Sequence, residues 1–182
     1  GPAILEQLFA SPTYRRHLEN RGQRQVVMVG YSDSNKDSGI TAARWSLYEA
    51  QRALVETGRR HGITVHFFHG RGGTVSRGGG NLVTGIEGAP PGSIDGYLRV
   101  TEQGEVINQK FGVRPIALRN IELMTGAVLR HHFLGTADGA DEEACLLMAS
   151  MADRARRRYP QLVYENPHFV PFFRSATPIH VI

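Results

Sequence analysis

Val26-Val27-Met28-Val29, then Gly30-Tyr31-Ser32-Asp33-Ser34-Asn35-Lys36-Asp37-Ser38-Gly39, then a helix-periodic stretch, then Ile63-Thr64-Val65-His66-Phe67-Phe68 running into His69-Gly70-Arg71-Gly72-Gly73-Thr74-Val75-Ser76-Arg77-Gly78-Gly79-Gly80: this order decides the fold. Both apolar runs have strand length, and an uninterrupted run such as Val26–Val29 marks a strand buried on both faces. Between them Ala43, Leu47, Ala50 and Leu54 share one helical face, with Trp45, Tyr48 and Arg52 off it and Gly58 as a stop signal. Strand, helix and strand in this span have the size of a right-handed βαβ unit, which makes the strands parallel. Both polar stretches, read as loops, follow the carboxyl end of a strand, where barrel and open α/β folds place their chemistry.

Outward from that unit, Ile4, Leu5, Leu8 and Phe9 form a helical stripe, and Ser11-Pro12 reads as a cap with proline at the first helical position of a second short helix. Residues 81–96 are rich in Gly and Pro without periodicity and read as a long active-site loop. Tyr97-Leu98-Arg99-Val100-Thr101 is a third strand. A long helix is expected from near Pro115 to about His132. Asp141 can cap another, with Ala144, Leu147, Met151 and Ala155 as its inner face. Arg154 and Arg156-Arg157-Arg158 read as the solvated end of that helix, where positive charge suits the dipole, rather than a nucleic-acid patch. The aromatic segment Phe169-Val170-Pro171-Phe172-Phe173 leads into Arg174 and Ser175.

The chain has 182 residues and a formal charge of +4, carried almost wholly by arginine, since Lys36 and Lys110 are its two lysines. Arginine's planar fork suits phosphate and carboxylate partners. No apolar run approaches the roughly 20 residues of a membrane-spanning helix, and no secretion signal is read at the start. The single cysteine, Cys145, reads as a buried small hydrophobe, and a cytoplasmic protein is expected.

Asp33 and Asp37 are hard oxygen donors of the kind Mg²⁺ prefers. An EF-hand is excluded because the glycine comes one position late and Arg44 stands where the closing glutamate belongs. Asp33 also reads as a turn or cap aspartate, and Lys36 as a solvated ion-pair partner or as a charge held against a substrate anion. The glycine-rich stretch suits an anion cradle of backbone N–H groups. It is neither a Walker A loop nor a dinucleotide fingerprint, since no Gly-Lys-Ser/Thr follows and Val75 takes the third glycine position. His69 reads as a site residue or a hydrogen-bonded structural histidine. A self-contained module that binds phosphorylated metabolites or RNA through Arg71 and Arg77 stands as the alternative function.

Val27–Gly39 resembles the lysine signature of the phosphoenolpyruvate carboxylase family. Phe67–Val75 with Arg77-Gly78-Gly79-Gly80 resembles its glycine-rich loop. Leu98–Glu105 and Phe169–Pro178 match two further family segments in the same order. The resemblance implies an α/β fold, part of a βα (TIM-type) barrel with parallel strands and additional long helices. It also implies a cytoplasmic homotetrameric lyase that converts phosphoenolpyruvate and bicarbonate to oxaloacetate with Mg²⁺ (or Mn²⁺), with aspartate or malate as inhibitors and neither nucleic acid nor membrane as partner. By resemblance, Asp33 is a metal ligand and Lys36 the signature lysine. Arg71, with Gly72 and Gly73, binds the substrate phosphate, and His69 supports the phosphate end. Arg77 and Arg174 steady the carboxyphosphate and the enolate, and Arg77 takes part in feedback inhibition.

Ser76 and Asn81 depart from the family's usual glycine and proline. Three strands fall short of the eight strands and roughly 250 residues of a βα barrel. The chain also lacks the family's upstream catalytic histidine and second metal carboxylate, and its downstream Gly-Ser-Arg-Pro segment. One partial domain over residues 1–182, an excised central barrel segment inactive by itself, is therefore expected.

Overall fold

A computed structural model describes residues 1–70, 82–102, 104–134 and 141–179, the side chains of Ser32, Asp33 and Glu105 excepted. Its strands are β1 (Arg24–Gly30), β2 (Thr64–Gly70) and β3 (Arg99–Thr101), in the order β1-β2-β3. Both pairings are parallel, as the βαβ reading requires, with Arg24 opposite Thr64, Gly30 opposite Gly70, and Gly70 opposite Thr101. The helices are α1 (Pro2–Ala10), α2 (Pro12–Glu19), α3 (Ser32–Arg60), α4 (Leu82–Glu87), α5 (Gly104–Phe111), α6 (Arg114–Leu134), α7 (Glu142–Val163) and α8 (Phe169–Ala176). None is long and apolar enough to cross a membrane among the described residues. The chain divides into two compact units, Gly1–Ser32 with Leu47–Ala140, and Asp33–Ser46 with Asp141–Ile182.

The first unit is built on one face of the sheet. Val29, Val65 and Phe67 bury against Leu5 and Phe9 of α1, Leu18 of α2 and Leu54 of α3. Full burial of a side chain such as Phe9 or Phe67 stabilises by about 2–3 kcal/mol. The opposite face of β1 is open: Val26 is 39% exposed and Met28 65%. The reading of Val26–Val29 as buried on both faces is thus corrected. The strand alternates, and the apolar run reflects side chains that β1 leaves uncovered on one side. A second cluster joins Leu82 and Ile86 of α4 to Ala127 of α6 and to Ile94, which lies between α4 and β3.

Two stretches read as irregular are helical. Ser32 to Ser38 is the opening segment of α3, since Ser, Asp and Asn, poor in helix interiors, are well suited to a first turn. Gly39 (φ 75, ψ 163) then breaks the helix into two. Within 81–96, α4 supplies a turn and a half, because Leu82 and Ile86, four residues apart, give it one buried face. The expected helix near Pro115–His132 is α6, slightly longer at both ends. Ser11 precedes α2 as expected, although its side chain makes no capping hydrogen bond.

In the second unit Asp141 caps α7, its Oδ1 accepting from the Glu143 N–H at 3.3 Å. The inner face of α7 is offset from the expected one. Leu147 and Met151 are 61% and 47% exposed, Ala144 is exposed, and Ala152 is buried with Cys145, Met148, Ala149 and Ala155 partly covered. Two adjacent leucines, Leu146 and Leu147, make that phase ambiguous in the sequence. Cys145 is half-buried rather than buried. The helix carries Pro160 inside it and ends at Tyr164, whose N–H bonds the Pro160 carbonyl. The aromatic segment is α8, with the rings of Phe169 and Phe173 stacked 6.1 Å apart.

Candidate active site

The register Gly30–Gly70–Thr101 aligns the carboxyl ends of all three strands in one row. Parallel strands of this kind bind ligands outside that edge. Tyr31 leaves β1 there. It lies two residues beyond Val29, the partner of His69, and so projects from the same face as His69. Its hydroxyl meets His69 Nδ1 at 2.7 Å. Both side chains are buried, at 7% and 4% exposure, with Phe67 on the same face. On the third strand Thr101 Oγ1 reaches the His69 carbonyl at 3.5 Å. Behind this row the Arg99 guanidinium lies over the Phe68 ring, 4.5 Å from its centroid, a cation–π contact on the open face of the sheet.

Just beyond β3, Glu102 Oε1 accepts from Lys110 Nζ of α5 at 2.5 Å, with side chains only 11% and 23% exposed. Asn120 of α6 donates to the Lys110 carbonyl at 3.0 Å, which ties α5 to α6 beneath the pair. Neither Tyr31 nor this ion pair stood out in the sequence as a site residue. Two signals were available: Lys110 is one of only two lysines, and Glu102 directly follows a strand end.

The residues singled out in the sequence are distributed as follows. His69 closes β2 within this row. Lys36 lies in the opening segment of α3, and its carbonyl accepts from the Tyr164 hydroxyl at 2.6 Å. Ser38 Oγ donates to the Ser34 carbonyl at 2.9 Å in the same segment. Arg174 is exposed on α8. Asp33 belongs to α3, but its side chain lies outside what is described, as do Arg71, Gly72, Gly73 and Arg77. Among the described residues no three His, Cys, Asp or Glu side chains gather where they could hold a metal ion.

At the other end of the strands, a groove of about 420 Å³ is lined by Asn20, Arg21, Arg24, Val26, His66 and Tyr97. The His66 ring packs edge-on to Tyr97. Burial first, then the charge of Arg24, hold His66 below the ordinary imidazole range, with Asp95 opposing them.

Comparison with known proteins adds a sequence relationship to this geometry. The profile of the phosphoenolpyruvate carboxylase family matches residues 1–182. A phosphoenolpyruvate carboxylase of Xanthomonas campestris pv. campestris is 49% identical over 183 residues, covering 100% of this chain and 20% of that protein. Its namesake in Roseiflexus castenholzii is 49% identical over 176 residues, covering 97% and 19% respectively. That of Mycobacterium avium is 46% identical over 185 residues, covering 100% and 20%. The chain thus spans about a fifth of the length of the curated relatives it matches.

Proposed function

Because the chain belongs to the phosphoenolpyruvate carboxylase family, we propose that it supplies one part of the site that joins phosphoenolpyruvate to bicarbonate. One observation carries this reading. Gly30 and Gly70 are register partners, so the lysine-signature segment and the glycine-rich segment leave adjacent parallel strands at the same edge. We further propose that the three strands belong to a βα barrel completed by other sequence, and that the 182-residue chain alone is inactive.

In this reading the phosphoryl group of phosphoenolpyruvate passes to a bicarbonate oxygen, giving carboxyphosphate and the enolate of pyruvate. Carboxyphosphate then releases CO₂ and phosphate, and the enolate carbon attacks CO₂ to give oxaloacetate. Negative charge accumulates on the transferring group, and fixed guanidinium groups stabilise it. Arg71, with the backbone of Gly72 and Gly73, takes the substrate phosphate. Arg77 and Arg174 counter the carboxyphosphate and enolate charge, Lys36 adds a further positive charge, and His69 supports the phosphate end.

Mg²⁺ or Mn²⁺ would be held in part by Asp33. Mg²⁺ takes one or two carboxylates and completes its shell with water and substrate oxygens. When bound, such an ion supplies charge neutralisation to the phosphoryl group. A cytoplasmic homotetrameric parent, restrained by aspartate or malate through Arg77, belongs to the same proposal.

The test is to exchange the matching fifth of the Xanthomonas campestris relative for this chain and to assay bicarbonate-dependent oxaloacetate formation. The reading expects a folded, active chimera that Lys36→Ala or Arg71→Ala disables by at least about 100-fold, the scale of one lost charge-stabilising contact. A folded but inactive chimera would overturn it, and turnover by the 182-residue chain alone would overturn the proposed dependence on other sequence.

A further inference from the structure

We propose that Tyr31 is a positioning residue for His69. Its hydroxyl donates to His69 Nδ1, leaves the ring hydrogen on Nε2, and turns that N–H into a fixed donor for the phosphate end of the substrate. The proposal rests on the reading of His69 given above and deepens it by naming the group that sets the tautomer.

The geometry is specific. The 2.7 Å contact joins side chains that are 7% and 4% exposed, so water does not compete freely for either atom. It also spans two strands. Val29 is the register partner of His69, and Tyr31 reaches its diagonal neighbour from the next position on the same face, a distance long side chains bridge. Tyr31 is the residue at which the chain passes from β1 to α3, and His69 is the penultimate residue of β2. One hydrogen bond therefore couples the exits of the two motif-bearing segments.

The direction of donation follows from elementary acid–base chemistry. A phenol is a far stronger proton donor than a neutral imidazole N–H, and the imidazole nitrogen is the better acceptor. The neutral pair therefore favours O–H···Nδ1. The other ring nitrogen must then carry the hydrogen, since a neutral imidazole has one donor and one acceptor. An Nε2–H donor suits an anionic oxygen, whereas the opposite tautomer would present a lone pair to it.

The experiment has two arms. In the 182-residue chain labelled with ¹⁵N-histidine, the His69 ring nitrogens report which one carries hydrogen. The expected result is the Nε2–H form in the wild type, and a shift of the Nδ1 signal away from its hydrogen-bonded position in Tyr31→Phe. In the Xanthomonas campestris chimera, Tyr31→Phe is expected to raise KM for phosphoenolpyruvate by about fivefold, the worth of one hydrogen bond, with kcat within about twofold. A merely structural role would instead lower the active fraction, and hence the apparent kcat, at unchanged KM. An Nδ1–H form in the wild type, or a fall in kcat alone, would overturn the proposal. An inactive parent chimera with the expected nitrogen signals would overturn only the function of the site, not the Tyr31–His69 arrangement. If Tyr31→Phe does not fold, the wild-type tautomer alone decides, since Nδ1–H there is incompatible with the proposed donation.

Discussion

The ring of Tyr159 lies against Gly39: a Cβ built on Gly39 would stand 3.0 Å from Tyr159 Cδ2. The backbone at Gly39 has φ 75 and ψ 163, a region that is essentially restricted to glycine. Helix, break and ring contact all meet at this residue, three positions from Lys36.

Gly39→Ala should therefore destabilise the chain by about 2 kcal/mol, mainly from the backbone conformation. A urea titration measures it. Placing Gly39→Ala in a Tyr159→Ala background should retain most of that loss, because removing the ring relieves the contact and leaves the dihedral angles unchanged.

The Glu102–Lys110 pair offers a second measurement. Lys110→Met strands a carboxylate that is 11% exposed, with an expected cost on the order of 2 kcal/mol. Adding Glu102→Gln should restore much of that loss, since an apolar group beside a neutral amide leaves no buried charge. Equal losses in the single and double variants would show that packing, not charge, dominates there.

Stability should also fall on mild acidification. Burial holds His66 and His131 below the ordinary imidazole range; Arg24 adds to this at His66 while Asp95 opposes it, and at His131 a hydrogen bond with the Pro90 backbone opposes it while His132 adds to it. In the unfolded chain both rings take up protons near pH 6.5, before the folded ones do. Through that window the unfolded state binds more protons, so stability rises with pH and is lost as pH falls. The urea midpoint should be lower at about pH 5.5 than at about pH 7.5, and replacing both histidines by glutamine should flatten the dependence. Further acid adds a separate loss from Glu6, whose carboxyl is held low chiefly by its hydrogen bond with His61 and also by Arg60. That carboxylate contribution is present above the ordinary carboxyl range and disappears as pH falls through the lowered value.

The phase of α7 can be checked by two substitutions. Ala152→Glu places a charge at a position only 2% exposed, and should cost at least about 2 kcal/mol. Leu147→Ser, at 61% exposure, should stay within about 0.5 kcal/mol of the parent. Thermal unfolding of both separates the observed face from the one centred on Leu147.

These examples show where the fold was legible in the residues. The strand cores at Val26–Val29 and Ile63–Phe68, the parallel pairing, α6 and the Asp141 cap rest on local patterns that tertiary context reinforces. The helix at Ser32–Ser38 was hidden because its polar residues suit a turn as well as a first helical segment. The open side of β1 could not be read from four consecutive apolar residues, which carry no alternation. For the site, His69 at a strand end was legible from the order of the segments. Tyr31 was not, since its partner lies 38 residues away and only the register brings the two side chains together.

That parallel register also sets a clock on synthesis. Arg24 pairs with Thr64, forty residues further along the chain, and ribosomes add about 5–20 residues per second. The first strand therefore emerges about 2–8 s before its neighbour can be complete. Through that interval β1 lacks its β2 neighbour, and the Tyr31 hydroxyl has not yet met the imidazole of His69. The edge shared by Gly30, Gly70 and Thr101 is complete only once the third strand has emerged, whereas Leu5, Phe9 and Leu18 precede β1 in the chain and can cover Val29 earlier.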